Sequence, residues 1–205
     1  MGELKYRKDK SGQFQAYIGK KKYLLDMRGR LEDEIYPLLR CCWEIAGKRQ
    51  IGFWAMIRLL MPVVETAGGV VYPEAKNPGS MVLREMGVPY PEIAWRLFRH
   101  NLLHGDELVQ VIHDESEQHA GWSISFGGGH TREHLKVCID VDQLYYDLLG
   151  FLEEKSKNVP EHEEVELRAV RISDQEQAKN ESLRIEVEEL FGLRKPVSHA
   201  VRIEA

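Results

Sequence analysis

Apolar residues recur at helical spacing through the first half of the chain. One stripe occupies about 31–47, and a second occupies about 51–67, where the pair Gly68-Gly69 predicts its end. A third occupies 91–104, since a proline suits its first position and Gly105 can form a left-handed cap. The pattern therefore predicts three helices, and the second is expected to be a core helix too short to span a membrane.

Alternating apolar and polar residues replace the helical spacing in the middle of the chain. Three short strands are predicted, at 108–112, 122–126 and 135–139. The run Gly127-Gly128-Gly129 predicts a hairpin loop between the last two strands. A small antiparallel sheet inserted into the helical domain is therefore expected.

Both ends of the chain carry further elements. Alternation over residues 14–18 predicts a hairpin or an extended arm within residues 1–30. Asp140 has the position of an N-cap residue and predicts a helix that runs to a boundary near Pro160. The residues after that boundary predict a strand, a helix and a strand.

These elements predict a mainly α (α+β) fold. The expected organisation is an N-terminal hairpin or arm over residues 1–30 and a helical domain over residues 31–158. The β insertion lies at 108–139 within that domain. Residues 159–205 are expected to form a β-α-β appendage.

The composition favours a folded protein with a solvated surface. The 205 residues are 43% hydrophobic and 30% charged, with both signs interspersed. The formal net charge of −5 excludes a broadly basic duplex-binding protein, so any RNA contact must be local. Three cysteines without a paired framework favour a reducing compartment. No signal peptide or membrane segment is predicted, and a cytoplasmic location is expected.

One face of the third predicted helix concentrates polar groups. At about 100° per residue, the apolar side of this helix consists of Ala94, Trp95, Phe98 and Leu102. The opposite side consists of Glu92, Arg96, Arg99, His100 and His104. A solvated surface is the ordinary interpretation of such a stripe. Two arginines and two histidines on one face also form a candidate site for phosphate chemistry.

The end of this helix carries a short motif. Arg99-His100-Asn101-Leu102-Leu103-His104 consists of an arginine, a polar residue, three further residues and a histidine. This arrangement resembles the signature of the HEPN superfamily, and the predicted helices over residues 31–157 agree with the resemblance. The resemblance implies a helical bundle and a metal-independent endoribonuclease without a cofactor, often a toxin or defence protein. Other members of the family have lost catalysis and serve as binding modules.

RNA cleavage by such a motif needs two groups. RNA supplies its own nucleophile, the 2′-hydroxyl, so an enzyme must provide a base for its proton and a cation for the phosphate. His104 is the candidate base, and Arg99 is the candidate phosphate clamp because a planar guanidinium grips two oxygens and stays charged. His100 or Asn101 can orient the phosphate or the His104 ring, and Arg96 is a further supporting cation.

The spacing of the two catalytic candidates predicts an oligomer. Arg99 and His104 are five residues apart, which on an α-helix separates them by about 140° and about 7.5 Å. One chain therefore makes a loose site, and two copies packed through this region can complete it. A homodimer is expected, as the family resemblance also implies. An antitoxin or another protein partner is expected to restrain a toxic activity.

Two other functions remain open from the sequence. His100 with His104 and His130 with His134 have the spacing of helical zinc ligands, although the first pair lacks the glutamate of the metalloprotease pattern. The second alternative is a binding or scaffold protein that keeps the bundle without catalysis.

A further polar cluster lies between the first two predicted strands. Its members are His113, Asp114, Glu115 and His119. The cluster is typical of a polar loop and also of a cation site.

Overall fold

Helices make up most of the part of the chain that the structure describes, and the mainly α (α+β) class is confirmed. The computed structural model describes residues 4–8, 14–46, 52–101, 111–113, 118–133, 136–167 and 174–190. The chain divides into two compact units, residues 1–167 and residues 168–205. The final predicted strand, near residue 200, lies outside the described residues.

The elements alternate between helical segments and two small sheets. The helical segments of the first unit are α1 (Lys20–Arg30), a first π-helical turn (Leu31–Ile35), α2 (Tyr36–Ala46), α3 (Phe53–Val71), α4 (Pro78–Glu85), α5 (Pro91–Trp95), a second π-helical turn (Arg96–Asn101) and α6 (Val141–Asn158). The strands are β1 (Lys5–Lys8), β2 (Phe14–Gly19), β3 (Val111–His113), β4 (Gln118–Ser125), β5 (Thr131–Glu133), β6 (Lys136–Asp140) and β7 (Glu164–Leu167). The second unit contains α7 (Asp174–Lys179) and α8 (Glu181–Leu190).

Helix α1 occupies residues that the sequence pattern assigned to the N-terminal arm. Its buried side chains, Leu24 and Met27, begin a stripe that continues through Leu31 of the first π-helical turn. Three lysines open the helix and obscure this stripe in the sequence. The Nζ atom of Lys20 lies 3.0 Å from a carboxylate oxygen of Glu163. The arm is therefore limited to the β1–β2 hairpin, and the helix begins at Lys20 rather than near Leu31.

Helices α1, α3 and α6 enclose the hydrophobic core of the first unit. Helix α6 contacts both of the others along its length. The side chains that are at most 1% exposed include Leu24, Ile57, Leu60, Val64, Leu144, Leu148 and Leu152. Full burial of one such side chain contributes about 1.5 to 3 kcal/mol. This shared core fixes the position of α3, on which the candidate site depends.

Helix α3 is longer than predicted because it continues through Gly68-Gly69. Its 19 residues, Phe53–Val71, are long and apolar enough to cross a membrane by length and composition. However, Ile57, Leu60 and Val64 are fully buried within the first unit, as in the core helix of a globular domain. The predicted end at the glycine pair and the argument from shortness are wrong, whereas the position in the core is confirmed.

Gly68 serves packing rather than helix termination. A Cβ atom at Gly68 would lie 2.5 Å from the backbone carbon and oxygen of Pro78, at the start of α4. Gly79, the next residue of α4, has the ring of Trp95 directly where a Cβ would stand. Two glycines therefore let α3, α4 and α5 approach one another closely.

The first sheet joins both ends of the first unit. Strands β1 and β2 form the expected hairpin, and β2 also pairs antiparallel with β7, with Ala16 opposite Leu167. The sequence pattern assigned β7 to a C-terminal appendage with a strand over 165–172. It is instead a strand of the N-terminal sheet, so β7 belongs to the first unit.

The second sheet is mixed rather than antiparallel. Its strand order is β3-β4-β6-β5, and the central pair β4–β6 is parallel, with Ser125 opposite Asp140. The glycine run 127–129 therefore does not close a hairpin between β4 and β6, as the sequence predicted. It carries the chain across the end of β6 to β5, which pairs antiparallel with β6. This crossing loop passes the residue that begins α6.

The adjacent glycines of α3 provide a stability test with an internal control. We expect Gly68→Ala to destabilise the first unit, since the new Cβ meets backbone atoms of Pro78 that cannot move independently. Gly69→Ala meets nothing within 4 Å and should stabilise the helix by up to about 1 kcal/mol. Thermal melts of both variants measure the difference, and equal melting temperatures would contradict the close approach of α3 and α4.

Candidate functional site

The buried side of the motif helix anchors it in the core. Ala94, Trp95 and Phe98 are between 1% and 6% exposed, as the sequence pattern predicted, and Leu97 is buried as well. Phe98 meets Trp122 of β4 edge to face, with ring centroids 5.9 Å apart. The polar side of the helix is therefore held in a fixed orientation by apolar contacts on its opposite side.

The helix changes its winding where the motif begins. α5 ends at Trp95, and residues 96–101 form the second π-helical turn. A π-helical turn is wider than an α-helical one and is frequent at functional sites. The predicted separation of about 140° between Arg99 and His104 assumed α-helical winding throughout. That value does not apply to a segment that contains this turn.

Arg99 forms an ion pair with Glu65 of α3. Its Nε and Nη2 atoms donate to the same carboxylate oxygen, Oε1 of Glu65, over 3.0 and 2.5 Å. The two side chains are 28% and 40% exposed, so both reach solvent. The hydrogen bond to Glu65 raises the pKa of Arg99, which remains a cation at all ordinary pH values. An acidic residue of α3 therefore holds one edge of the candidate phosphate clamp.

An aromatic ring supports the same guanidinium. The Cζ atom of Arg99 lies 5.7 Å from the ring centroid of Trp95, within the range of a cation–π contact. The Trp95 ring is itself fixed against Gly79 of α4. Arg99 is thus positioned by a carboxylate from one helix and an indole from its own helix, and it stays partly exposed.

The other members of the predicted polar face have different positions. Arg96 is exposed and contacts no carboxylate among the described residues, so it is a cation at the surface one turn from Arg99. Glu92 is occupied structurally, because it accepts hydrogen bonds from Ser80 and Arg84 of α4 over 2.9 Å each. The backbone of His100 and Asn101 belongs to the second π-helical turn.

The remaining predicted site residues are not placed by the structure. The side chains of His100 and Asn101 lie outside its described part, as do His104 and Leu102 entirely.

No protein-family model, curated protein or solved structure matches the chain. The candidate site is therefore defined by Arg99, its two supports and the neighbouring Arg96.

A buried polar joint lies where β4, β6 and α6 meet. The Asp140 side chain is fully buried and accepts three hydrogen bonds, from the Ser125 hydroxyl at 3.0 Å, the Gly128 amide at 2.8 Å and the Gln143 amide at 2.9 Å. The last bond confirms Asp140 as the N-cap of α6. The other two partners are not evident in the sequence because only the parallel β4–β6 pairing brings them to the carboxylate.

His130 completes this joint in a defined tautomer. Its Nδ1 atom accepts the backbone N–H of Asp140 over 3.0 Å, so the proton of the neutral ring is on Nε2. The side chain is 8% exposed, and Nε2 has no hydrogen-bond partner among the described residues. The nearest carboxylate oxygen, on Asp147, is 3.8 Å away. With a hydrogen bond on Nδ1 and a proton on Nε2, this ring has no lone pair for a metal.

Apart from His130, the structure does not place the candidate metal ligands from the sequence. His134, Asp114 and Glu115 lie outside the described residues, as do the side chains of His113 and His119. Among the described residues, no group of three or more metal-binding side chains converges. The described site consists of an arginine that is paired with a carboxylate and lies beside an aromatic ring.

Two neighbouring residues of the motif helix should respond oppositely to truncation. We expect Phe98→Ala to cost about 3 to 5 kcal/mol, because its ring is 2% exposed and packs on Trp122. Arg99→Ala should cost about 1 kcal/mol or less, since the pair with Glu65 reaches solvent. Urea denaturation of both variants tests this difference. An Arg99→Ala protein that fails to fold would show that the arginine is structural.

The His130 joint predicts a loss of stability on acidification. Burial lowers the pKa of His130, and the carboxylates of Asp147 and Asp140 oppose this only in part. In the unfolded chain this histidine has a pKa of about 6.5, so it binds a proton more readily than in the folded protein. The free energy of unfolding therefore falls as the pH decreases through that region, by at most about 1.4 kcal/mol per pH unit.

Urea denaturation at pH 7.5, 6.5 and 5.5 measures this effect. The His130→Asn variant keeps an acceptor for the Asp140 amide and should lose part of the pH dependence. His162→Asn, at an exposed position, is the matched control and should leave it unchanged. If the free energy of unfolding changes equally with pH in the wild type and in His130→Asn, the proposed role of His130 is wrong.

Proposed function

We propose that this chain is a metal-independent endoribonuclease of the HEPN type in which Arg99 binds the phosphate at the cleavage point. The observation that carries the proposal is a partly exposed guanidinium fixed by Glu65 and Trp95 at the start of the HEPN-like motif. A guanidinium has five N–H donors, so a carboxylate on one edge and a phosphate on another are chemically compatible. Pre-organised donors of this kind stabilise the charge that develops on a phosphate.

His104 has the role of the general base in this proposal. It takes the proton of the 2′-hydroxyl, which then attacks the adjacent phosphorus and releases the 5′-oxygen of the next nucleotide. This role comes from the family resemblance and from the chemistry of imidazole near neutral pH. Arg96 adds a second cation near the phosphate, and His100 and Asn101 are assigned supporting roles in orientation.

The active form in this proposal is a homodimer in the cytoplasm. The family resemblance implies that two copies packed through this region complete one site, and we assign that arrangement to this chain. Two large apolar side chains of α3, Trp54 and Leu59, are 42% and 40% exposed on the helix that also carries Glu65. Exposed apolar groups on the helix that carries part of the site favour contact with a second copy. A toxin or defence role, with an antitoxin as the restraining partner, accompanies this proposal.

The same ion pair supports a second candidate, a binding protein without catalysis. Glu65 accepts from two donors of Arg99, and an arginine held in this way can serve only the packing of α3 against the second π-helical turn. In that case the wild type would cleave no RNA, and Arg99→Ala would leave RNA binding unchanged. The two candidates therefore differ in a measurable property of one residue.

Cleavage of structured and unstructured RNA by the purified protein tests the proposal. We expect cleavage that survives a chelator and falls by about 100-fold or more in Arg99→Ala and His104→Ala. Arg99→Lys should also be poor, because an ammonium cannot grip two oxygens. Arg30→Ala and His162→Ala, at exposed positions away from the motif, are the matched controls and should retain the wild-type rate.

Three outcomes would contradict parts of this proposal. Cleavage that a chelator abolishes would indicate a metal enzyme, and no cleavage of any RNA would favour the binding protein. Full activity in a monomer, measured by sedimentation at the assay concentration, would contradict the dimer.

A further inference from the structure

A small open cavity between α2 and α6 shares no residue with the Arg99 site. Its volume is about 70 Å³, and its lining consists of Tyr36, Leu39, Arg40, Asp142 and Tyr146. Sites that enclose a whole small molecule are much larger, about 300 to 1,000 Å³. The cavity can therefore take the edge of a planar ring that lies across its open mouth.

Aromatic rings form the walls of this cavity and are held in place from behind. Tyr36 stacks on the buried Tyr145, with ring centroids 5.8 Å apart and planes inclined by 28°. Tyr146 meets Tyr145 edge to face at 5.2 Å, and 49% of Tyr146 is exposed. Rings that are fixed on one side and open on the other are suited to stack on a planar ligand.

Asp142 supplies an acceptor without a partner. Its side chain is partly buried, and no hydrogen bond reaches its carboxylate from the described residues. Burial and the nearby Asp140 raise the pKa of Asp142. The Asp142 carboxylate is therefore open to N–H donors of a ligand, which need displace no donor from the described residues.

We propose that this cavity binds a guanine base. Guanine presents two adjacent donors, N1–H and the N2 amino group, which match the two oxygens of one carboxylate. Its planar ring can stack on Tyr146, and its O6 and N7 acceptors suit a guanidinium such as that of Arg40. Leu39, which is 2% exposed, forms the apolar floor.

The lining distinguishes guanine from other ligands with donor groups. Adenine and cytosine place an acceptor beside their amino group, and uracil has a single N–H between two carbonyls. Each of them therefore makes at most one good bond to the Asp142 carboxylate. The side chain of an arginine also offers two parallel donors, but Arg40 at the same cavity repels a second cation.

Ligand titrations followed by protein NMR test this proposal on the full chain without RNA cleavage. The probes are guanosine, inosine, adenosine, cytidine and uridine, together with N-acetylarginine amide. Inosine is the sharpest control, since it keeps the ring and O6 but lacks the N2 amino group. We expect saturable guanosine binding near Tyr146 and at least about tenfold weaker binding of inosine, since inosine loses one of the two hydrogen bonds to a charged carboxylate.

Variants locate the contacts within the cavity. Asp142→Asn should remove the preference for guanosine over inosine, and Tyr146→Leu should weaken binding of every nucleoside. Asp33→Asn and Tyr6→Leu, at exposed positions elsewhere, are the matched controls. Arg40→Gln, at an exposed position, provides a second test if Asp142→Asn fails to fold, and it should weaken guanosine binding.

Four results would overturn the proposal. These are the absence of saturable guanosine binding, equal affinity for guanosine and inosine, an unchanged preference in Asp142→Asn, or tighter binding of N-acetylarginine amide than of guanosine. The result is independent of the proposed ribonuclease. Guanosine binding can be present in a protein that cleaves no RNA, and an active ribonuclease can fail to bind guanosine here.

Discussion

The close approach of α3 and α4 at Gly68 is the constraint on which the Arg99 site depends. Gly68 leaves room for the backbone of Pro78, and the next residue of α4, Gly79, leaves room for the ring of Trp95. That ring lies beside the guanidinium of Arg99, whose carboxylate partner, Glu65, is on α3 one turn before Gly68. These contacts therefore connect α3, α4 and the motif helix to one another. A shift at any one step changes where the guanidinium lies.

The features that could be predicted from the sequence are those that local contacts determine. The buried face of the motif helix, with Trp95 and Phe98, follows from helical periodicity alone. The N-cap at Asp140 follows from a side chain and an amide three residues apart. Both features involve residues three positions apart, and this spacing is visible in the sequence.

The failures arise where tertiary packing overrides local preference. Glu65 and Arg99 are 34 residues apart, and nothing in their spacing indicates that they pair. The glycine pair at 68–69 has the local character of a helix end, yet α3 continues because Gly68 is needed for packing. The run 127–129 has the character of a hairpin, yet β4 and β6 are parallel. At both glycine runs the local preference is real, but the glycines serve a close contact in α3 and a crossing loop after β4.

The strength of the Glu65 pair determines which roles remain open to Arg99. A fully buried pair would be costly to separate, since removal of one partner leaves an uncompensated charge. Here both side chains reach solvent, at 28% and 40% exposure, and such pairs are worth about 1 kcal/mol or less. A pair of this strength leaves the proposed phosphate role open to Arg99, because Glu65 can share or release the guanidinium at little cost. The Trp95 ring, 5.7 Å from the guanidinium, is a second support that does not depend on Glu65.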